Sequence, residues 1–169
     1  MDAVNDRNEL SFPEKHFLGR ISEELSDLIA LQSAELLAEA GVVIPPKSCS
    51  LMLAIERHHP ASAKDLASAL DRSHQLVSQK LPKLVKLGLL ECIENPEDRR
   101  QKLYHLTAKG AEQLNQFHEV QKPLESVYRQ LEDEVGEVGK AISDALLALS
   151  AKSLSERIGE TGHALFDSE

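Results

Sequence analysis

Apolar residues recur along most of this chain at intervals of three and four, the spacing that lines one face of an α-helix. Between Pro13 and Ala40, PEKHFLGRISEELSDLIALQSAELLAEA sets Leu18, Ile21, Leu25, Leu28, Leu36 and Leu37 near that spacing, with serines and acids on the other side. Phe17, Ile29 and Leu31 broaden the stripe. The pattern predicts a long helix with two sticky faces, which wants two partners, and a second subunit can be one of them. Gly41 stops it, and VVIPPKS carries the chain to a new start at Ser48.

Shorter elements follow. SCSLMLAIERHH reads as a second helix ended by Pro60, and SAKDLASAL as a third, with Ser62 as its cap and Asp65 three residues on. DRS makes a tight turn into HQLVSQKLPKLVKLG, which Gly88 closes. LLECIE and QKLYHLT read as two strands joined by a turn at Asn95-Pro96. Thr107 then caps AKGAEQLNQFHEVQKPLESVYRQL, whose apolar face (Leu114, Phe117, Leu124, Tyr128 and Leu131) runs on across Pro123. A last helix from about Asp133 to Leu149 gathers Val138, Ile142, Ala145, Leu146 and Leu149. The polar first residues have no period and read as a mobile tail.

Composition narrows the class. With 41% apolar but only 4% aromatic residues, the 169-residue chain must pack Leu and Ala stripes, which favours a mostly helical fold. It holds no run of eighteen apolar residues and no charged-then-apolar leader, so a soluble, cytoplasmic protein without membrane contact is expected. Cys49 and Cys92 lack CxxC spacing, which predicts reduced, largely buried thiols. The seven histidines are scattered apart from His58-His59, which precedes a proline, so no metal site and no cofactor are expected. No nucleophile with a base, glycine-rich phosphate loop or carboxylate dyad stands out, which argues against an enzyme.

Charge changes the picture more. The formal total of −9 conceals a partition: residues 1–56 carry −6, residues 57–109 carry +4 and residues 110–169 carry −7. A positive middle between acidic ends suits a polyanionic partner there and another task at the ends.

That middle contains a short helix, a three-residue turn and a second helix capped by Ser73. Leu66, Ala67 and Leu70 on one side and Val77, Leu81, Leu84 and Val85 on the other have the spacing of a helix-turn-helix. The second helix turns Gln75, Gln79, Lys83 and Lys86 away from that stripe, with no acid among them. Glutamine amides pair with an adenine edge and lysines with guanine or phosphate, although any solvated helix carries such residues. Arg99 and Arg100 stand at the hairpin tip, where Asp98 can pair with and orient them, as a wing that touches a DNA backbone or minor groove requires.

NPEDRRQKLYHLTAKGAEQL, following LAxxLxxSxxxVS and KLxKLGLLE, resembles the MarR family of winged helix-turn-helix transcription regulators over about residues 14 to 150. Asp98-Arg99-Arg100 and Leu106-Thr107-Ala108-Lys109-Gly110 carry the likeness. It implies homodimers with intertwined terminal helices, a pseudo-palindromic double-stranded operator read by paired recognition helices, and a small-molecule or redox signal, most often releasing a repressor. The implied recognition-helix residues are Ser73, His74, Gln75, Ser78, Gln79, Lys80 and Lys83, and the wing residues Asp98, Arg99 and Arg100. The partition expected is a flexible tail (1–13), an N-terminal dimerisation helix (14–46), a winged helix-turn-helix (47–109), C-terminal dimerisation helices (110–152) and a C-terminal tail (153–169).

Two departures bear on this. Pro82 sits about eight residues into the recognition helix and predicts a kink or an early end, and neither cysteine occupies the early first-helix position of peroxide-sensing relatives. A protein-binding winged-helix module that leaves DNA alone is the competing expectation.

Overall fold

A computed structural model describes residues 18–161. The predicted tail 1–13, the first residues of the N-terminal helix including Phe17, and residues 162–169 lie outside the described residues. The chain divides into two compact units, one up to Val120 and one from Gln121.

The first unit is a mostly helical body with a small sheet. Helix α1 (Leu18–Glu39) ends at Gly41, whose φ of 72° the absent Cβ makes easy to adopt. A 3-10 turn (Pro46–Ser48) leads into α2 (Cys49–His58). Strand β1 (Ala61–Ser62) precedes α3 (Ala63–Ala69), and α4 (His74–Lys86) precedes the hairpin of β2 (Leu90–Glu94) and β3 (Lys102–Leu106). The sheet is antiparallel in the order β1-β3-β2, with Ala61 opposite Tyr104 and Leu90 opposite Leu106. The hairpin thus gains a third strand that the sequence reading lacked, because two residues are too few to show a period. Helix α5 (Ala108–Val135) begins in this unit, where Gly110, Gln113, Leu114 and Phe117 are buried. Its first turns therefore belong to the winged body, although the partition at residue 110 assigned them to dimerisation.

The core is aliphatic, as the composition requires. Ile44, Leu51, Met52, Ile55, Leu66, Leu81, Leu84, Leu89, Leu90 and Leu114 are fully buried. Each such side chain contributes about 1.5–3 kcal/mol on leaving water. The buried Gln113 ties α5 to the end of α1: its Oε1 accepts from the Val43 amide at 2.5 Å and its Nε2 donates to the Gly41 carbonyl at 3.2 Å. Cys49 is half-buried and Cys92 is exposed, the latter against expectation, because β2 is an edge strand whose residues after Leu90 face solvent.

The second unit holds the rest of α5, α6 (Val138–Ala151) and α7 (Leu154–Glu160). The helix expected from Asp133 divides at Gly136 (φ 88°), so α5 continues to Val135 and α6 starts afterwards. Part of the expected tail is helical: the Ser153 hydroxyl accepts from the Glu156 amide while the Glu156 carboxylate accepts from the Ser153 amide. The Arg157 guanidinium donates to the Lys152 carbonyl just past the end of α6 at 3.2 Å and adds a second donor, at 2.7 Å, to the Ala148 carbonyl that already accepts from the Lys152 amide. Helix α6 buries none of its residues. No helix among the described residues is long and apolar enough to cross a membrane.

Candidate nucleic-acid interface

A hydrogen-bonded frame sets the pose of α4. In the preceding α3, Ser62 and Asp65 form the predicted reciprocal cap, with the Asp65 carboxylate accepting from the Ser62 amide at 3.0 Å and from its hydroxyl at 2.7 Å. Those bonds favour the charged form and hold the Asp65 carboxyl below its ordinary value. The helix leaves through Asp71 at φ 48°, a left-handed position that aspartate tolerates better than most residues, and Arg72 N–H closes the turn on the Ala67 carbonyl at 2.9 Å. Ser73 then caps α4 by accepting from the Leu76 amide at 3.3 Å.

Helix α4 packs Val77, Leu81 and Leu84 inward and leaves Gln75, Gln79, Lys83 and Lys86 exposed on the other side. Pro82 lies inside the helix without ending it, so of the expected kink or early end the early end does not occur. Its exposed position leaves the Ser78 carbonyl, deprived of a donor, within reach of water. The helix closes at Gly88 (φ 71°), where the Leu89 amide reaches the Leu84 carbonyl at 3.0 Å and the Lys109 ammonium donates to the Leu87 carbonyl at 2.8 Å.

The other predicted α4 residues divide. His74 is exposed, with a ring nitrogen 3.4 Å from the half-buried Ser78 hydroxyl. Lys80 turns away from the glutamine row and donates to the Lys47 carbonyl. Burial, then the Arg72 and Lys47 charges, push the Lys80 ammonium below its ordinary pKa. It lines a cleft of about 370 Å³ with Lys47, Arg72, Ser26, Leu51 and Leu76. Arg72 was read only as part of a turn and Lys47 only as linker; no spacing rule joins residues so far apart in sequence.

The wing is rigid at its base and built by its polar side chains at its tip. Asn95 and Gln101 bond through their backbones at 3.1 Å, and the Asn95 side chain accepts from the Glu97 amide at 3.0 Å. Asp98 accepts from the backbone amide of Arg100 at 3.0 Å, so it shapes the turn; among the described residues no ion pair joins it to either guanidinium. Arg99 and Arg100 are both exposed.

The Leu-Thr-x-x-Gly stretch also has a physical reason. The Thr107 hydroxyl donates to the Gly88 carbonyl at 2.7 Å and accepts from the Gly110 amide at 2.9 Å, joining the ends of α4 and β3 to the start of α5. A Cβ at Gly110 would stand 2.0 Å from the Leu89 carbonyl oxygen, so only glycine fits. No group of three or more His, Cys, Asp or Glu among the described residues could hold a metal ion.

Residues 44–101, which span α2 through the wing tip, match the model of the MarR family. No curated protein matches the chain. Among solved structures, a Staphylococcus aureus MepR-DNA complex superposes with a TM-score of 0.61 at 21% identity, covering 78% of this chain and 96% of that one. The PcaV transcriptional regulator from Streptomyces coelicolor, in complex with its natural ligand, gives 0.59 at 15% identity, covering 81% and 93%. The transcriptional repressor CouR, bound to a 23-mer DNA duplex, gives 0.53 at 23% identity, covering 85% and 94%. Residues 44–101 are thus similar to the MarR family, and the fold is that of MarR structures.

Proposed function

We propose that this protein, with its MarR-like winged helix, is a DNA-binding transcription regulator that acts as a homodimer and that a small molecule releases from a pseudo-palindromic operator. One observation carries the reading: an exposed, acid-free row of amides and ammoniums on α4, beside a wing whose tip exposes two guanidiniums. Gln75 and Gln79 offer the donor and acceptor pair that fits an adenine edge in the major groove. Lys83, Arg99 and Arg100 supply the phosphate attraction. His74 and Ser78 flank the row, Ser73 positions the helix, Asp98 shapes the wing tip, and Lys80 serves the cleft more than the groove.

The other parts of the reading rest on separate features. Leu146 and Leu147 on α6 are 59% and 70% exposed, which favours a second copy of the chain as their cover. Relatives described as a DNA-bound repressor and a ligand-bound regulator have the same fold and lend weight to repression and effector release. The cleft behind α4 is lined by Arg72, Lys80 and the Asp27-paired Lys47 together with Leu51, Leu76 and Val77, a mixture of cationic and apolar groups that suits a small organic anion.

The test is a gel shift with the DNA upstream of the protein's own gene. A discrete complex that resists competition by random duplex is the expected result, and equal competition by random duplex would remove the reading.

A further inference from the structure

Pro82 lies within α4 and on its exposed side. Gln75, Gln79, Pro82 and Lys86 follow one another at intervals of four, three and four, so the proline ring shares the outward row of the two amides. The buried residues of the helix, Val77, Leu81 and Leu84, lie on the opposite side. Proline in a helix interior is disfavoured over other residues because it takes away an N–H and crowds the preceding turn. Here the ring adds nothing to the core in return. A local rule broken on an exposed face is the signature of a site shaped by what it touches.

Resting on the DNA-binding reading above, we propose that Pro82 reads a thymine, its ring packing against the C5-methyl group in the major groove one turn beyond Gln79. That methyl is the apolar feature of the major-groove edge; the other groups displayed there are hydrogen-bond donors and acceptors. A pyrrolidine ring can satisfy none of those, so a guanine or cytosine edge against it would be left unpaired and desolvated. The ring is also rigid, and ordering it against a base loses almost no side-chain entropy.

The experiment removes the methyl and the ring separately. Duplexes are first selected from a randomised pool with the full chain. Each thymine of the preferred duplex is then replaced by uracil, which lacks only the C5-methyl, and affinity is read by fluorescence anisotropy for the native chain, Pro82→Ala and Pro82→Ser. Both variants restore a backbone N–H to the helix and should fold. At one position in each half-site the native chain should lose about fourfold on replacement by uracil, the size expected for one methyl group leaving an apolar contact. Neither variant should lose affinity at that position, while binding to random duplex stays unchanged in all three. Uracil penalties that are equal in all three proteins at every position would show that the ring only shapes the helix, and would overturn the inference while sparing the DNA-binding reading. A native chain with no sequence preference at all would overturn both.

Discussion

The winged body closes over its own aliphatic residues, with Leu66, Leu81, Leu84 and Leu114 wholly shielded from water. In the unit that follows Val120, α6 carries leucines at similar helical spacing and buries none of its residues. Both segments show the same periodic code. That code specifies a helix and a stripe but is silent on what covers the stripe. In the winged body the cover is sheet and neighbouring helix; on α6 the proposed cover is another copy of the chain.

The sharpest way to break this contrast is to truncate one leucine on each side of it. Leu81→Ala should destabilise the winged body by about 3 kcal/mol, the usual cost of emptying a fully buried site, as read from amide exchange protection in α4. Leu147→Ala, at a side chain 70% exposed, should leave that protection unchanged. Equal losses would mean that the two units share one core.

A second experiment asks what covers α6. Light scattering should return twice the chain mass for the native protein, and Leu146→Glu should return one chain mass without loss of the winged fold. Operator affinity should then fall roughly a hundredfold, because two linked half-site contacts become independent ones. A native protein of one chain mass would remove the dimer from the proposed function.

How far the sequence showed all this differs between the same regions. The Ser62 and Asp65 cap, the turn ahead of Ser73, the inward row of Val77, Leu81 and Leu84 and the closing Gly88 were all legible, because each is set by neighbours within a few residues. Strand β1 was not, since its pairing with Tyr104 and Leu103 is long-range and its two residues carry no period. The exposure of Cys92 follows from its place on the sheet edge, which strand order decides and spacing does not. In the site, the outward glutamines followed from the helical period, whereas the inward turn of Lys80 depends on the Lys47 carbonyl thirty-three residues away. Pro82 was legible as an irregularity that would kink the helix or end it, and spacing did not decide between the two; the helix continues past its exposed ring.

Smaller effects separate the two surfaces of the winged body. Gln79→Ala should narrow the gap between operator and random duplex by about 1–3 kcal/mol if the amide pairs with a base. Arg99→Ala should weaken all duplexes alike and flatten the slope of log affinity against log salt by roughly one unit. An Arg99 variant that lost discrimination with an unchanged salt slope would reverse these roles. Cys49→Ser should alter neither quantity: burial pushes that thiol up to about 11, so it is protonated and a poor nucleophile at neutral pH. The exposed Cys92 should be the faster of the two to take up a thiol reagent.

The finest comparison uses one device that occurs in both units. Ser62 with Asp65 and Ser153 with Glu156 form the same reciprocal cap, and in each the hydroxyl and amide of the serine hold the acid below its ordinary pKa. A depressed carboxyl stabilises its helix above the ordinary pKa, and the contribution fades as the pH falls through the lowered one. Acidification should therefore weaken both caps in the same direction, below about pH 4. Their consequences should differ, because α3 packs Leu66 and Ala67 into the core while α7 buries none of its residues. Ser62→Ala should lower the stability of the winged body by about 1 kcal/mol, seen as a shifted denaturant midpoint. Ser153→Ala should leave that midpoint in place and reduce only the helical signal of residues 154–160 in NMR chemical shifts. A shared shift of the midpoint would show that α7 unfolds together with the winged body, and the division of the chain at Val120 would no longer describe how it folds.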